Sequence, residues 1–151
     1  MGSRDHKIEI VLWSIALPGF GQLLNGKFLK GLLLISLEFL VNVQSRLNTI
    51  IILSFNMNIV EAIRQADFQW LMFYPCLYLF AIWDAYRDAG GGKSRYATLP
   101  LVFGAFAGTV GIIYSHSFGK IFGPVWLGIS GALLGFVCGT LIRLLLKRTH
   151  S

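Results

Sequence analysis

Apolar residues along this chain fall into five runs, 8–24, 28–44, 68–86, 97–115 and 121–146, separated by short polar breaks. A transmembrane helix needs about 20 mostly apolar residues. The last four runs meet that length. The first has 17 residues, is broken by Pro18-Gly19 and sits at the short limit. The pattern predicts an all-α polytopic integral membrane helix bundle. It has four full spans plus an N-terminal membrane helix, broken at Pro-Gly, that is either re-entrant or short.

Residues 46–67 follow a different pattern. They carry Arg46, Glu61, Arg64 and Asp67, too much charge for a span. Ile51, Phe55, Ile59, Ala62, Ile63 and Ala66 recur at helical spacing. That periodicity predicts an amphipathic helix, lying on the membrane or capping the bundle. Residues 88–96, beginning DAGGGKSR, read as a polar Gly-rich linker. The chain thus divides into a membrane region over 8–87, the linker, and a glycine-rich helical hairpin over 97–148. The turn of that hairpin is expected over 115–120.

Composition strengthens the membrane reading. Of 151 residues, 55% are hydrophobic and 13% charged, against roughly 45–50% and 25% in soluble domains. A water-soluble fold of this size leaves much of its area exposed and could not hide so much apolar surface. Two cysteines, Cys76 and Cys138, are too few for a disulfide scaffold and read as small apolar side chains. Ser14-x-Ala16 has the small residues of a signal-cleavage site. The apolar run before it is only about six residues, where a signal core needs about 7–15. The segment is expected to be retained.

Charge then sets an orientation, because Lys and Arg collect in cytoplasmic loops. If 8–24 dips in and returns, Arg4, Lys7, Lys27, Lys30, Arg87, Lys93, Arg95, Arg143, Lys147 and Arg148 share one side, leaving Arg46, Arg64 and Lys120 on the other. If 8–24 crosses, the 10-to-3 division becomes 8 to 5. The first arrangement fits better and puts both termini and the linker in the cytoplasm of a cell-membrane protein. The net charge of +6 is mostly this topology signal. The cations are scattered rather than gathered in one patch, so no nucleic-acid partner is expected.

Residues 17–31 read LPGFGQLLNGKFLKG, and the third run ends AIWDAYRDA. Pro18 blocks helical continuation, and Gly19 and Gly21 open backbone conformations closed to other residues. Gln22 and Asn25 supply local hydrogen bonds to irregular backbone at membrane depth. The segment reads as a turn that shapes a hairpin or as a ligand-binding re-entrant loop. It resembles the two-transmembrane (TM-two) domain family at Pro18, Gly19, Gly21, Gln22, Asn25, Gly26, Lys30, Gly31 and Asp84. Here about forty residues separate the second helix from the Asp, where the compact family pattern has few. The resemblance implies an elaborated membrane hairpin and no reaction. Asp84 is placed to pair with Arg87 or with the 18–26 turn.

Glu38 lies about 15 Å along the second span at helical rise. A carboxyl at that depth is costly and is a functional candidate. With Gly31, Asn42 and Ser45 it forms one polar stripe, expected to face the bundle. It reads as a Glu hydrogen-bonded to a partner helix, through Tyr74 or Tyr78, or as part of a proton or ion relay. In the last two runs, Gly104 and Gly108, and Gly128, Gly131, Gly135 and Gly139, form a glycine-zipper pattern of small residues on which helices approach closely. The stripe serves packing of the two helices, or association of two copies. Gly135→Leu is expected to be severe and Gly131→Ala mild.

No nucleophile–base set, phosphate loop or metal-binding motif is visible, and His6, His116 and His150 are isolated. The expectation is therefore a non-enzymatic membrane protein without catalytic residues, cofactor or metal. It acts as a scaffold or accessory subunit, with the lipid bilayer and another membrane protein or a second copy as partners. The alternative is a transporter or channel component using Glu38. That role needs a water-accessible cavity reaching Glu38.

Overall fold

The structure, a computed structural model, describes residues 3–118 and 121–149. All regular structure among them is helical: α1 (Ser3–Ala16), α2 (Phe20–Leu24), α3 (Phe28–Ser45), α4 (Leu47–Phe55), α5 (Ile59–Gln65), α6 (Phe68–Leu71), α7 (Tyr74–Asp88), α8 (Leu99–Phe118) and α9 (Gly123–Thr149). Three of these, α3, α8 and α9, are long and apolar enough to cross a membrane. Large apolar side chains face outward along all three, among them Phe39, Phe106 and Leu134. That surface is suited to lipid.

The N-terminal run goes in and comes back. Lys7 of α1 lies beside Gly90, beyond the end of α7. Eight residues on, the Ile15 carbonyl accepts from the Tyr78 hydroxyl at 2.6 Å. Pro18 and Gly19, the latter at φ 104°, then reverse the chain. By Asn25 it is level with Ala85, whose carbonyl accepts from the Asn25 amide at 2.8 Å. The excursion from Lys7 to Ile15 is about 12 Å at helical rise, under half of a hydrocarbon core of about 30 Å. α1 and α3 therefore begin at the same end of the molecule.

The third apolar run, expected as one unbroken helix, is divided into α6 and α7 at Met72–Phe73. Pro75 is the cause. It lacks an N–H, and its ring opposes the carbonyl four residues earlier. The Met72 carbonyl at the break accepts instead from Thr109 Oγ1 of α8 at 3.2 Å. The helix expected over 46–67 is likewise two helices, α4 and α5, separated by a turn with Met57 at φ 60°. Both pack across the far end of the bundle. Leu47, Ile50 and Ala62 from this pair join Leu71 and Ile112 in the buried core. Trp126 of α9 meets Phe55 at a tilt, with ring centroids 4.8 Å apart, and donates to the Ser54 carbonyl.

The turn expected over 115–120 starts later. Helix α8 continues through Ser115 and His116 to Phe118, and residues 119 and 120 lie outside the described residues. Ser115 is fully buried, its hydroxyl turned back onto the Ile112 carbonyl. His116 meets Phe68 edge-on.

Helices α8 and α9 run antiparallel at backbone distance. A Cβ added at Gly139, Gly135 or Gly131 would stand 2.6, 2.1 or 2.4 Å from the carbonyl oxygens of Leu99, Phe103 and Ala107 respectively. Gly111 of α8, which the sequence pattern passed over, would meet the Leu127 carbonyl at 2.2 Å. Gly128 faces Ile112, and Gly108 faces Ala132 and Pro75. Gly104 is looser, with a nearest neighbour at 3.2 Å. This face of α9 is covered within one chain. The expectation that Gly131→Ala is mild is corrected, because even one methyl there meets backbone that cannot rotate away.

Candidate functional site

The residues of the Pro-Gly turn converge on the end of α7. Gln22 is fully buried; its Nε2 donates to the Ala81 carbonyl at 2.8 Å and to Asp84 Oδ2 at 3.2 Å. Lys30, on the first turn of α3, reaches Asp84 Oδ1 at 2.8 Å and Asp88 Oδ2 at 3.0 Å. Asp84 thus pairs with the turn, as one expectation had it, and with Lys30 rather than Arg87. Asp88 went unnoticed in the sequence because its role depends on one α7 turn bringing it under Asp84. Gly19 and Gly31 let α2 and α3 touch: a Cβ at Gly19 would sit 2.6 Å from the Gly31 carbonyl oxygen. Gly21 packs on Ser14 and Ala85 in the same way, whereas Gly26, at φ 72°, has open space around it and serves the turn's backbone alone. Everything here holds the α1–α2 hairpin against α7.

This network supports a definite stability result. Lys30→Met should lower stability by about 1–3 kcal/mol, the range for charged hydrogen bonds lost from partly buried partners. Asp84 and Asp88 are only 19% and 21% exposed and would be left facing each other. Thermal unfolding in detergent reads the loss. Lys30→Arg should recover most of it, and equal melting of the wild type and Lys30→Met would refute the clamp.

Above the clamp, towards the middle of the bundle, a groove of about 500 Å³ opens between the N-terminal half and the α8–α9 hairpin. Leu17 and Pro18, Leu47 and Ile51, Ile112, and Ile129 to Phe136 of α9 contribute its apolar walls. The polar side chains on its lining are Glu38, Tyr74 and Tyr78. Glu38 is 7% exposed. Tyr74 stands close enough for its phenol to interact with the Glu38 carboxyl. The Tyr78 ring stacks on Tyr74 with centroids 5.6 Å apart and spends its own hydroxyl on Ile15. The second carboxyl oxygen, Oε2, is buried and has no partner among the described residues.

The sequence-predicted stripe is mostly where it was expected. Gly31, Glu38 and Ser45 lie on the buried face of α3, together with Leu34 and Val41. Asn42 is turned to the edge, where its amide donates to Asn48 at 3.2 Å. Among the described residues, no cluster of His, Cys, Asp or Glu could hold a metal ion. No family model, curated protein or solved structure matches this chain.

Proposed function

We propose that this chain is a small multi-pass protein of the cell membrane that works by binding another membrane protein, as a scaffold or accessory subunit, and not by catalysis. It crosses four times, through α3, the α6–α7 pair, α8 and α9, while α1 and α2 form a re-entrant hairpin. Residues 68–88 rise about 30 Å at helical pitch, enough for a span despite the break. The end bearing the clamp faces the cytoplasm, where the 10-to-3 division of Lys and Arg puts it. The TM-two resemblance of 17–31 and Asp84 belongs to this reading, as does the use of the α8–α9 glycines as a zipper.

The observation that carries the proposal is the mid-bundle groove, with its apolar walls and one buried carboxyl oxygen that has no partner among the described residues. It has room for several large side chains, but not for a helix about 10–12 Å across. A partner's transmembrane helix would lie over its mouth and press an apolar ridge into it. One polar side chain on that helix would hydrogen-bond Glu38, as polar residues do between membrane helices. A transport role draws on the same groove, since it reaches Glu38. A relay, however, needs a file of polar groups leading to both faces, and the walls offer two phenols.

A photo-crosslinking residue at Ile129, in full-length protein in native membranes, tests this. The expected result is a discrete protein adduct, kept in Glu38→Gln and lost in Glu38→Leu. It should also be lost in Leu133→Trp, which fills the groove from α9. An adduct indifferent to all three changes, or lipid adducts alone, would overturn the proposal. Proton flux in proteoliposomes that Glu38→Gln abolishes would favour transport. For topology, single cysteines at Asn56 and Ser94, in a background lacking Cys76 and Cys138, should label from outside at Asn56 only. Outside labelling at Ser94 would reverse the orientation.

A further inference from the structure

A second pocket lies at the opposite depth from the groove's core, on the basic end of the bundle, and shares no residue with it. It has a volume of about 350 Å³. Lys7 of α1, Lys93 of the 88–96 segment and Arg143 of α9 come to it from three separate parts of the chain, and among the described residues no carboxylate lines it. Asp84 and Asp88 are held by Lys30, and Asp5 and Glu9 line a different depression on α1. Among the described residues, none of the three cations takes part in a salt bridge.

The glycine segment is shaped against this pocket rather than strung loosely between helices. Gly90 and Gly92 have φ of 80° and 64°. Gly91 and Gly92 lie on the rings of Tyr86 and Trp83, where an added Cβ would come within 2.4 and 2.5 Å of ring carbon. With no side chains, this stretch leaves the space in front of Lys93 and Ser94 open. Arg143 is pinned from one side, its Nη2 donating to Ser94 Oγ. Its Nε is buried and has no acceptor among the described residues. A guanidinium held in place with a buried donor unspent is built to receive an oxyanion, because its planar fork matches carboxylate and phosphate geometry. On the proposed topology, on which the lipid arm of this inference rests, the aromatic pair Trp83 and Tyr86 falls where such rings collect, at the membrane–water boundary.

We propose that this pocket binds a phosphate group, held by Arg143, Lys7 and Lys93 over the glycine segment. The headgroup of an anionic phospholipid and free inorganic phosphate both present that chemistry. Basic pockets between transmembrane helices are suited to lipid headgroups, and this one opens at the end of α9, beside the bilayer surface.

The test uses the full-length protein in detergent, with phosphatidylglycerol, phosphatidylcholine and inorganic phosphate titrated separately. Lipid adducts are counted by native mass spectrometry, and thermal stability is followed in parallel. Phosphatidylglycerol should bind at least about tenfold more tightly than phosphatidylcholine, and Arg143→Gln should remove most of that preference, as expected for a charge-assisted hydrogen-bond pair. Gln retains a donor for Ser94. If Arg143→Gln fails to fold, Lys7→Gln with Lys93→Gln removes two charges and is read in the same titration. Phosphate that stabilises the protein and displaces phosphatidylglycerol from the wild type, but not from the variants, identifies free phosphate as a competent source and supports the site. Lys147→Gln with Arg148→Gln, on α9 outside the pocket, should change the preference by less than about twofold; a loss equal to that of Arg143→Gln would mean general surface attraction and overturn the proposal. Equal binding of the two lipids, with no effect of phosphate, would also overturn it.

Discussion

Gly135→Leu will separate α8 from α9 and leave the chain unable to hold its hairpin in detergent. The carbonyl oxygen of Phe103 lies 2.1 Å from where a Cβ would begin, and Ala107 Cβ is 2.8 Å away. A leucine cannot escape by changing rotamer, since the clash is at its first carbon and against backbone. Overpacking of a close-packed site costs about 1–3 kcal/mol and sometimes more. Between lipid-facing helices there is no hydrophobic gain to offset it, because lipid is as apolar as the side chain. Gly131→Ala should also destabilise, by an amount towards the lower end of that range, through its contact with the Ala107 carbonyl. Leu134→Ala is the internal control. Leu134 is 66% exposed on the outer face of α9, and surface changes of this kind stay within about 0.5 kcal/mol. Melting by fluorescence-detected size exclusion ranks the three variants. Wild-type melting of Gly135→Leu would mean that α8 and α9 do not touch along this face.

Glu38 gives the second large effect, and its sign depends on the replacement. Glu38→Leu removes the carboxyl that interacts with the half-buried Tyr74 phenol. A hydroxyl left without its polar neighbour there costs about 1–3 kcal/mol. Glu38→Gln keeps the side-chain shape and an oxygen for Tyr74, so it should melt close to wild type. Tyr74→Phe should partly rescue Glu38→Leu, because replacing both partners by apolar groups of similar shape removes the orphan. The coupling in this double-mutant cycle is the decisive quantity. Strictly additive losses would show that the two side chains do not meet.

Much of the helical content was legible because the bilayer imposes it. The runs at 28–44, 97–115 and 121–146 are long, apolar and uninterrupted, and each became part of a helix able to cross a membrane. The run at 68–86 has the same composition, yet it broke at Met72–Phe73. Pro75 follows that break, and Thr109, on a different helix, supplies a donor to the Met72 carbonyl within it. Of the positions in the periodicity over 46–67, Ile59 and Ala62 are buried and Phe55 is 61% exposed. That spacing could not reveal the turn at 56–58, where a methionine adopts a left-handed conformation that propensity disfavours.

The candidate site divides in the same way. Glu38 was conspicuous because a carboxyl deep in an apolar run has no cheap local explanation. Its groove was not, because its walls come from positions as far apart as Leu17 and Phe136, each unremarkable in its own run. The basic pocket was hidden for a related reason. Lys7, Lys93 and Arg143 read as three separate loop and end charges until packing set α1 beside the end of α7.

By itself, the sequence determined that this is a helical chain with stretches long and apolar enough to cross a membrane, that a Pro-Gly turn interrupts the first of its apolar runs, and that small residues line the last two. These follow from local rules: apolar length against bilayer thickness, a missing N–H, and a missing Cβ. Only the tertiary structure decided that the first run doubles back, that Lys30 bridges two acids, and that one Glu38 oxygen finds no partner among the described residues. It also decided that three distant cations share a pocket. Each of these depends on which helix stands next to which. That is settled by backbone approach and hydrogen-bond satisfaction between segments, and neither is written in the spacing of any one of them.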